Sequence, residues 1–317
     1  MRHYCIFVYK NHKTNMPAPK RQGGLLMRLS TIHLNGQDTA CVVSSLGLVP
    51  IRLINEEFGR WWPTDMFELI QTAGLDDLKE WYNGSGKRSL ETLPALPKDQ
   101  VRYAPLYRHP HKIWGIGLNY VDHAGDLAEK APTGRPASFP KWDNTIIGHG
   151  ETIQLPLQSE KTTGESELGV IFGKECKDVD EKDWLSVVAG FTTIIDMTAE
   201  DILRLNPRYL TQVKNFDTFF SFGPELVTPD EVENVMQLNV STVINGNVHA
   251  TNSVANMTFP PDFLVSYHTK IATTYAGDVI STGTPRAVHI SHGDVIECRI
   301  DGFTTLSNPV VDLKVGK

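Results

Sequence analysis

The chain has no uninterrupted apolar run approaching the roughly 18 residues a membrane span needs, which argues against a membrane-spanning helix. Cysteine is scarce. Cys5, Cys41, Cys176 and Cys298 stand far apart and match neither zinc nor redox spacings, so they read as reduced thiols in a cytosolic-type protein. Positive charge is also short: 30 Lys and Arg against 37 Asp and Glu give a net charge of −7, with no basic cluster. That balance excludes general nucleic-acid binding. The first 37 residues contain no Asp or Glu but carry Arg2, Lys10, Lys13, Lys20, Arg21 and Arg28. Residues 1–26 read as an unstructured extension, and Met16 and Met27 are each able to begin a chain. A mitochondrial transit peptide is the alternative, and the lack of an apolar h-region argues against secretion. A cytoplasmic address is the expectation.

Several catalytic signatures are absent as well. Gly115 and Gly117 follow an apolar run, but Tyr120 stands where a dinucleotide fingerprint requires its third glycine. Gly84-Ser85-Gly86-Lys87 is followed by Arg88 rather than the Ser or Thr of a phosphate loop, and no G-x-S-x-G elbow occurs. His109 and His111 lie in a proline-dotted connector, and His289 and His292 have no evident carboxylate neighbour. Repeats and low-complexity tracts are missing too.

What is present is ordinary in amount: 317 residues, 40% hydrophobic and 21% charged, enough for one large or two modest soluble domains. Residues 27–53 alternate as short strands about an Asn35-Gly36 hairpin turn. A helix is expected over 64–82, opened by Pro63 and stopped by Asn83-Gly84-Ser85-Gly86. Pro94, Pro97, Pro105 and Pro110 mark an extended connector. A small N-terminal domain over 27–105 and a main body over 106–317 follow from this. In the body, strands are expected at 113–118, 165–173, 187–196 and within 278–300, with a hairpin at Asn245-Gly246. Helices are expected after Thr198 and over 261–271. Strands outnumber helices and do not alternate with them, so the body is read as α+β with a mostly antiparallel or mixed sheet.

One strand carries unusual polar content. In Gly164-Glu165-Ser166-Glu167-Leu168-Gly169-Val170-Ile171-Phe172, Leu168, Val170 and Phe172 take one face, leaving Glu165 and Glu167 together on the other. Residues two apart lie roughly 6.5–7 Å apart along a strand, so the two carboxylates are able to lean toward one cation. Two readings stay open here, a solvated pair on an exposed face or ligands of a hard divalent ion. Asp196 ends the next strand, in phase with Thr192 and Ile194. His123 and Asp126 fall three apart on one face of a short helix that Gly125 weakens, as a moving lid would be. Thr282-Gly283-Thr284-Pro285 forms a tight turn with backbone N–H groups and a hydroxyl on offer.

Eight segments then fall in one order. They are Gly117-Leu118-Asn119-Tyr120 through His123-Ala124, Phe139-Pro140-Lys141, Gly164-Glu165-Ser166-Glu167-Leu168, and Ala189-Gly190-Phe191 leading to Asp196. After them come Lys214-Asn215-Phe216-Asp217-Thr218-Phe219, Phe222-Gly223-Pro224, Val243-Ile244-Asn245-Gly246 and Gly277-Asp278-Val279 through Thr284-Pro285. In this order they resemble the fumarylacetoacetate hydrolase family, from about Ile113 to Val311, with a weaker match over 27–105.

The resemblance implies a β-rich mixed-sheet roll with a small N-terminal α/β domain, usually dimeric. It implies Glu165, Glu167 and Asp196 as ligands of Mg²⁺, with Mn²⁺ or Ca²⁺ as alternatives. His123 and Asp126 would form the lid's acid/base dyad. Lys214 and Lys141 would face the substrate's anionic groups, and Gly283 and Thr284 would contact its carboxylate. The expected activity is Mg²⁺-dependent hydrolysis of a C–C bond in a 2-oxo or 1,3-dioxo acid. Oxaloacetate decarboxylation, dienoate isomerisation and a catalytically lapsed dimeric binding protein are the alternatives. The chain departs from the family pattern at Asp126, where glutamate is usual, at Glu200, where arginine is common, and at Asn215, in place of Ser or Gly. Trp142-Asp143-Asn144 is a further departure.

Overall fold

A computed structural model of the chain describes residues 27–120 and 134–316. The lid pair His123 and Asp126 therefore lies outside the described residues, as does the extension over 1–26.

The first strands are β1 (Arg28–Leu34), β2 (Gln37–Val43) and β3 (Leu48–Pro50), the first two joined by the expected Asn35-Gly36 turn with both residues at positive φ. Strand does not continue to residue 53. Pro50 ends β3, and Ile51–Phe58 is a helix that buries Ile51 and Ile54 and closes at Gly59 in the left-handed region. The single helix expected over 64–82 is two, Met66–Gln71 and Gly74–Trp81, and it does not stop at Asn83. The chain stays helical through Tyr82–Gly86 and Lys87–Leu90. Gly86 serves packing here rather than termination. A Cβ on it would lie 2.5 Å from the Trp81 ring, which only a bare backbone lets approach.

The body adds β4 (Ile113–Gly117), β5 (Ala137–Lys141), β6 (Ile146–Ile147), β7 (Ile153–Leu155), β8 (Thr162–Phe172), β9 (Val188–Ala199) and β10 (Phe220–Val227). It continues with β11 (Asn239–Ile244), β12 (Asn247–Ser253), β13 (Val279–Ser281), β14 (Val288–His289), β15 (Val295–Ile300) and β16 (Leu306–Asp312). The helix Pro261–Ile271 falls where the periodicity places it. The helix after Thr198 begins later than expected, at Glu200, because β9 runs on through Ala199.

Two sheets result among the described residues. The larger runs β3-β2-β1-β10-β9-β8-β13-β4-β5, with β14 beside β8 and β6 beside β10, and the smaller runs β12-β11-β15-β16-β7. Most pairs are antiparallel, while β4 with β13, β6 with β10 and β7 with β16 are parallel. The body is therefore the mixed-sheet α+β type. Segment 27–105 is tied to it: β1 pairs with β10, and the proline-dotted connector bridges back through Ile32–Tyr103 and Leu48–Leu96.

Alternation along β8 decides what lies where. Leu168, Val170 and Phe172 enter a core shared with Val240, Ile296 and Cys298 of the smaller sheet. Ile171 points the other way, joining Ile194 and Phe220 in a core with the N-terminal helices. Glu165 and Glu167 share the face of Ile171. All eleven residues of β8 and all twelve of β9 are buried, so a solvated pair on an exposed face is ruled out.

Candidate metal centre

Register places the acids. Glu165 of β8 lies opposite Asp196 of β9, Glu167 opposite Ile194, and Thr163 opposite Thr198. One oxygen from each of Glu165, Glu167 and Asp196 lies within 4.8 Å of the others, and all three residues are buried. Like charges so close in a buried sheet are costly unless cations compensate them.

Two lysines supply part of that compensation. Lys214 Nζ donates to Glu165 Oε2 at 2.8 Å and to Asp196 Oδ2 at 2.7 Å. Lys141 Nζ donates to Asp196 Oδ1 and to the carbonyl of Lys214, both at 2.5 Å. Burial works against the charge of Lys214, but Asp196, Glu165 and Glu167 outweigh it and hold the ammonium above its ordinary range. For Lys141 burial wins, and its pKa falls despite Asp196. Asp196 is held low, since Lys141 and Lys214 overcome the burial that would raise it. Burial, with Asp196 alongside, pushes the Glu167 carboxyl up to about 8. Aromatic faces also line the lysines, with Phe139 4.8 Å from Lys214 Nζ and Phe220 5.7 Å from Lys141 Nζ.

The donor set fits a hard divalent cation. It is all oxygen, buried, and carries three carboxylates against two ammonium groups, so one negative charge is left over when all are ionised. Two of its oxygens already converge on a cation, the Lys214 ammonium.

Hydroxyl groups finish the frame. Thr198 Oγ1 donates to Glu165 Oε1 at 2.6 Å, with Thr163 Oγ1 at 3.3 Å from the same oxygen. Ser281 Oγ and the Gly283 N–H both donate to Glu167 Oε2, at 2.5 and 2.8 Å. Thr198, expected to open a helix, spends its hydroxyl on a carboxylate instead. Gly283 directs its N–H at Glu167, and the Thr284 hydroxyl donates to the carbonyl of Arg286 within the turn. Local sequence carries no signal for the Ser281 contact, because Glu167 lies 114 residues away.

Asn215 explains how the lysines are set. Its side chain accepts from Trp142 N at 2.7 Å and donates to Pro140 O at 3.2 Å and Thr211 O at 2.9 Å. It thus brackets Lys141 on both sides while sitting next to Lys214. Glu200 is buried but paired with Arg204 and Lys161, which overcome burial and hold its carboxyl low. The charge reversal seen in the sequence is therefore neutralised locally.

The chain is similar to known proteins. A family model described as fumarylacetoacetate (FAA) hydrolase C-terminal matches residues 112–311. Human oxaloacetate tautomerase FAHD2A, mitochondrial, is 34% identical over 228 residues, 69% of this chain and 72% of that protein. The structure of maleylpyruvate hydrolase from Sphingobium sp. SYK-6, in complex with manganese(II) ion and pyruvate, has a TM-score of 0.74 at 26% identity. That alignment covers 90% of this chain and 99% of the other. For 5-carboxymethyl-2-hydroxymuconate delta-isomerase from Mycobacterium smegmatis the TM-score is 0.62 at 31% identity, covering 70% of this chain and 86% of that one. The matched stretch contains all three carboxylates and both lysines, and the chain belongs to the fumarylacetoacetate hydrolase family.

Proposed function

We propose that this protein is a Mg²⁺-dependent enzyme that hydrolyses a C–C bond in a small 2-oxo or 1,3-dioxo acid of the acylpyruvate type. The observation that carries the reading is the buried Glu165-Glu167-Asp196 cluster with two lysines on it. Mg²⁺ held by the three carboxylates would supply Lewis acidity to a chelating 2-oxo acid, and it keeps several coordination positions for substrate and water.

The chain's own groups do the rest. Lys214 offers its ammonium to negative charge developing on the 2-oxo oxygen. Lys141, expected at the substrate's anionic groups, is assigned here to holding Asp196, to which its ammonium is already bonded. The turn Thr282-Gly283-Thr284 sits against Glu167 and would face the substrate's carboxylate end. His123, oriented by Asp126, would take the proton of the attacking water. Dimer formation belongs to the same proposal, with sedimentation as its check.

A second reading is chemistry on oxaloacetate, either keto–enol exchange or loss of CO₂. The relative named oxaloacetate tautomerase, at 34% identity, favours it. This reading needs no attacking water and uses the same carboxylates and Lys214. The name of that relative also favours a mitochondrial address over the cytoplasmic one, and organelle fractionation distinguishes them.

Product analysis tests both readings. The Mg²⁺-loaded protein is given acetylpyruvate and, separately, oxaloacetate, with Glu167→Ala as control. Acetate with pyruvate supports the hydrolase. Loss of the enol absorbance of oxaloacetate, or CO₂ release, supports the second reading. Equal rates in the control sink both.

A further inference from the structure

Each glutamate of the cluster is tied on one oxygen by a hydroxyl from a different neighbouring strand. Ser281 of β13 lies opposite Gly169 of β8 and reaches diagonally to Glu167 Oε2. Thr198 of β9 lies opposite Thr163 and reaches diagonally to Glu165 Oε1. The Gly283 N–H and the Thr163 hydroxyl reinforce the same two oxygens. Asp196 is treated alike: Lys141 and the Met197 N–H hold Oδ1.

The remaining oxygens are Glu165 Oε2, Glu167 Oε1 and Asp196 Oδ2. The first and third accept from the Lys214 ammonium, and Glu167 Oε1 receives no hydrogen bond among the described residues. Each carboxylate thus keeps one oxygen clear of the neighbouring hydroxyls and N–H groups, and on Glu165 and Asp196 that oxygen is already turned to a cation, the Lys214 ammonium.

We infer that Ser281 and Thr198 are positioning residues that force single-oxygen ligation and so select a small octahedral ion over Ca²⁺. This rests on the metal-dependent reading above. Mg²⁺ takes six oxygens in near-ideal octahedral geometry, whereas Ca²⁺ takes six to eight and commonly draws both oxygens of a carboxylate. A carboxylate whose second oxygen accepts a hydrogen bond from a buried hydroxyl is held in one orientation, and turning to give both oxygens strains or breaks that bond. Partners of this kind hold a metal ligand in orientation, and losing one typically costs about 10- to 100-fold in metal affinity.

The test uses ions alone and requires no turnover. Isothermal titration of the full chain with Mg²⁺, Mn²⁺ and Ca²⁺ is compared for the parent, Ser281→Ala, Thr198→Val and Thr198→Ser. Thr198→Val keeps the side-chain shape and removes the hydroxyl, so it carries the test alone if Ser281→Ala does not fold. Expected is a shift of the Ca²⁺-to-Mg²⁺ affinity ratio toward Ca²⁺ by about tenfold in Ser281→Ala and Thr198→Val, the lower end of that range. Thr198→Ser, which retains the hydroxyl, keeps the parental ratio. Equal losses for all three ions, or no change, overturn the inference while leaving metal binding intact. A parent that binds none of the three ions takes down the metal-dependent reading itself.

Discussion

Lys214 Nζ and Asp196 Oδ2 lie 2.7 Å apart inside the protein, and the same ammonium reaches Glu165 Oε2, because Glu165 and Asp196 face each other across β8 and β9. One side chain thereby spans both strands of the acidic cluster. Breaking such buried pairs is costlier than their net worth, since the surviving partner keeps its desolvation penalty.

Lys141→Met tests that statement on the neighbouring lysine, whose side chain is fully buried against Asp196. Removing the ammonium leaves Asp196 Oδ1 with the Met197 N–H alone. Urea denaturation without divalent ions is expected to read a loss of about 3–5 kcal/mol. Saturating Mg²⁺ restores part of it, because an ion that binds only the folded chain adds stability by mass action.

Asn215→Ala removes the bracket around Lys141. The Trp142 N–H and the carbonyls of Pro140 and Thr211 each lose their partner. Partly buried groups left this way cost about 1–3 kcal/mol in all, and the melting temperature falls accordingly. Asn215→Asp keeps only the acceptor for Trp142 N–H and is expected to fall between the parent and the alanine variant in the same melt.

Gly283→Ala strikes the other side of the site. Gly283 sits at φ +96°, and a Cβ there would lie 2.7 Å from Asn119 Cβ and 2.9 Å from the Ile116 carbonyl oxygen. The backbone must move, taking the N–H away from Glu167. The expected cost is about 1–3 kcal/mol from strain at this position, with weakened Mg²⁺ binding by titration. Unchanged stability and unchanged binding would remove Gly283 from the frame.

One buried and one half-buried histidine give the protein a pH dependence on the acid side. His268 donates from Nδ1 to the Leu264 carbonyl and accepts from the Ser138 hydroxyl at Nε2, against the Trp114 and Tyr267 rings. Burial lowers its pKa from 6.5, and burial lowers that of His149 likewise. A depressed folded-state pKa means the unfolded chain takes up the proton first. The stability these groups contribute is therefore complete above pH 6.5 and drains away as the pH falls below it toward the folded values. Urea midpoints measured across that window should decline toward acid, and less so in His268→Gln.

By itself the sequence determined the parts that depend on near neighbours. The β8 alternation put Glu165 and Glu167 on one face, the Asn35-Gly36 and Asn245-Gly246 turns set two hairpins, and the 261–271 helix followed from its periodicity. It misjudged Gly86, because a glycine that admits a Trp ring looks the same in sequence as one that ends a helix. Tertiary structure alone decided the rest. Lys141 came to Asp196 rather than to open space, Thr198 to Glu165, Ser281 to Glu167, and Asn215 to the strand bearing Lys141. The reason is physical. A hydrogen bond between side chains 33 or 114 positions apart depends on which strands pair and in what register, and register is a property of the whole sheet.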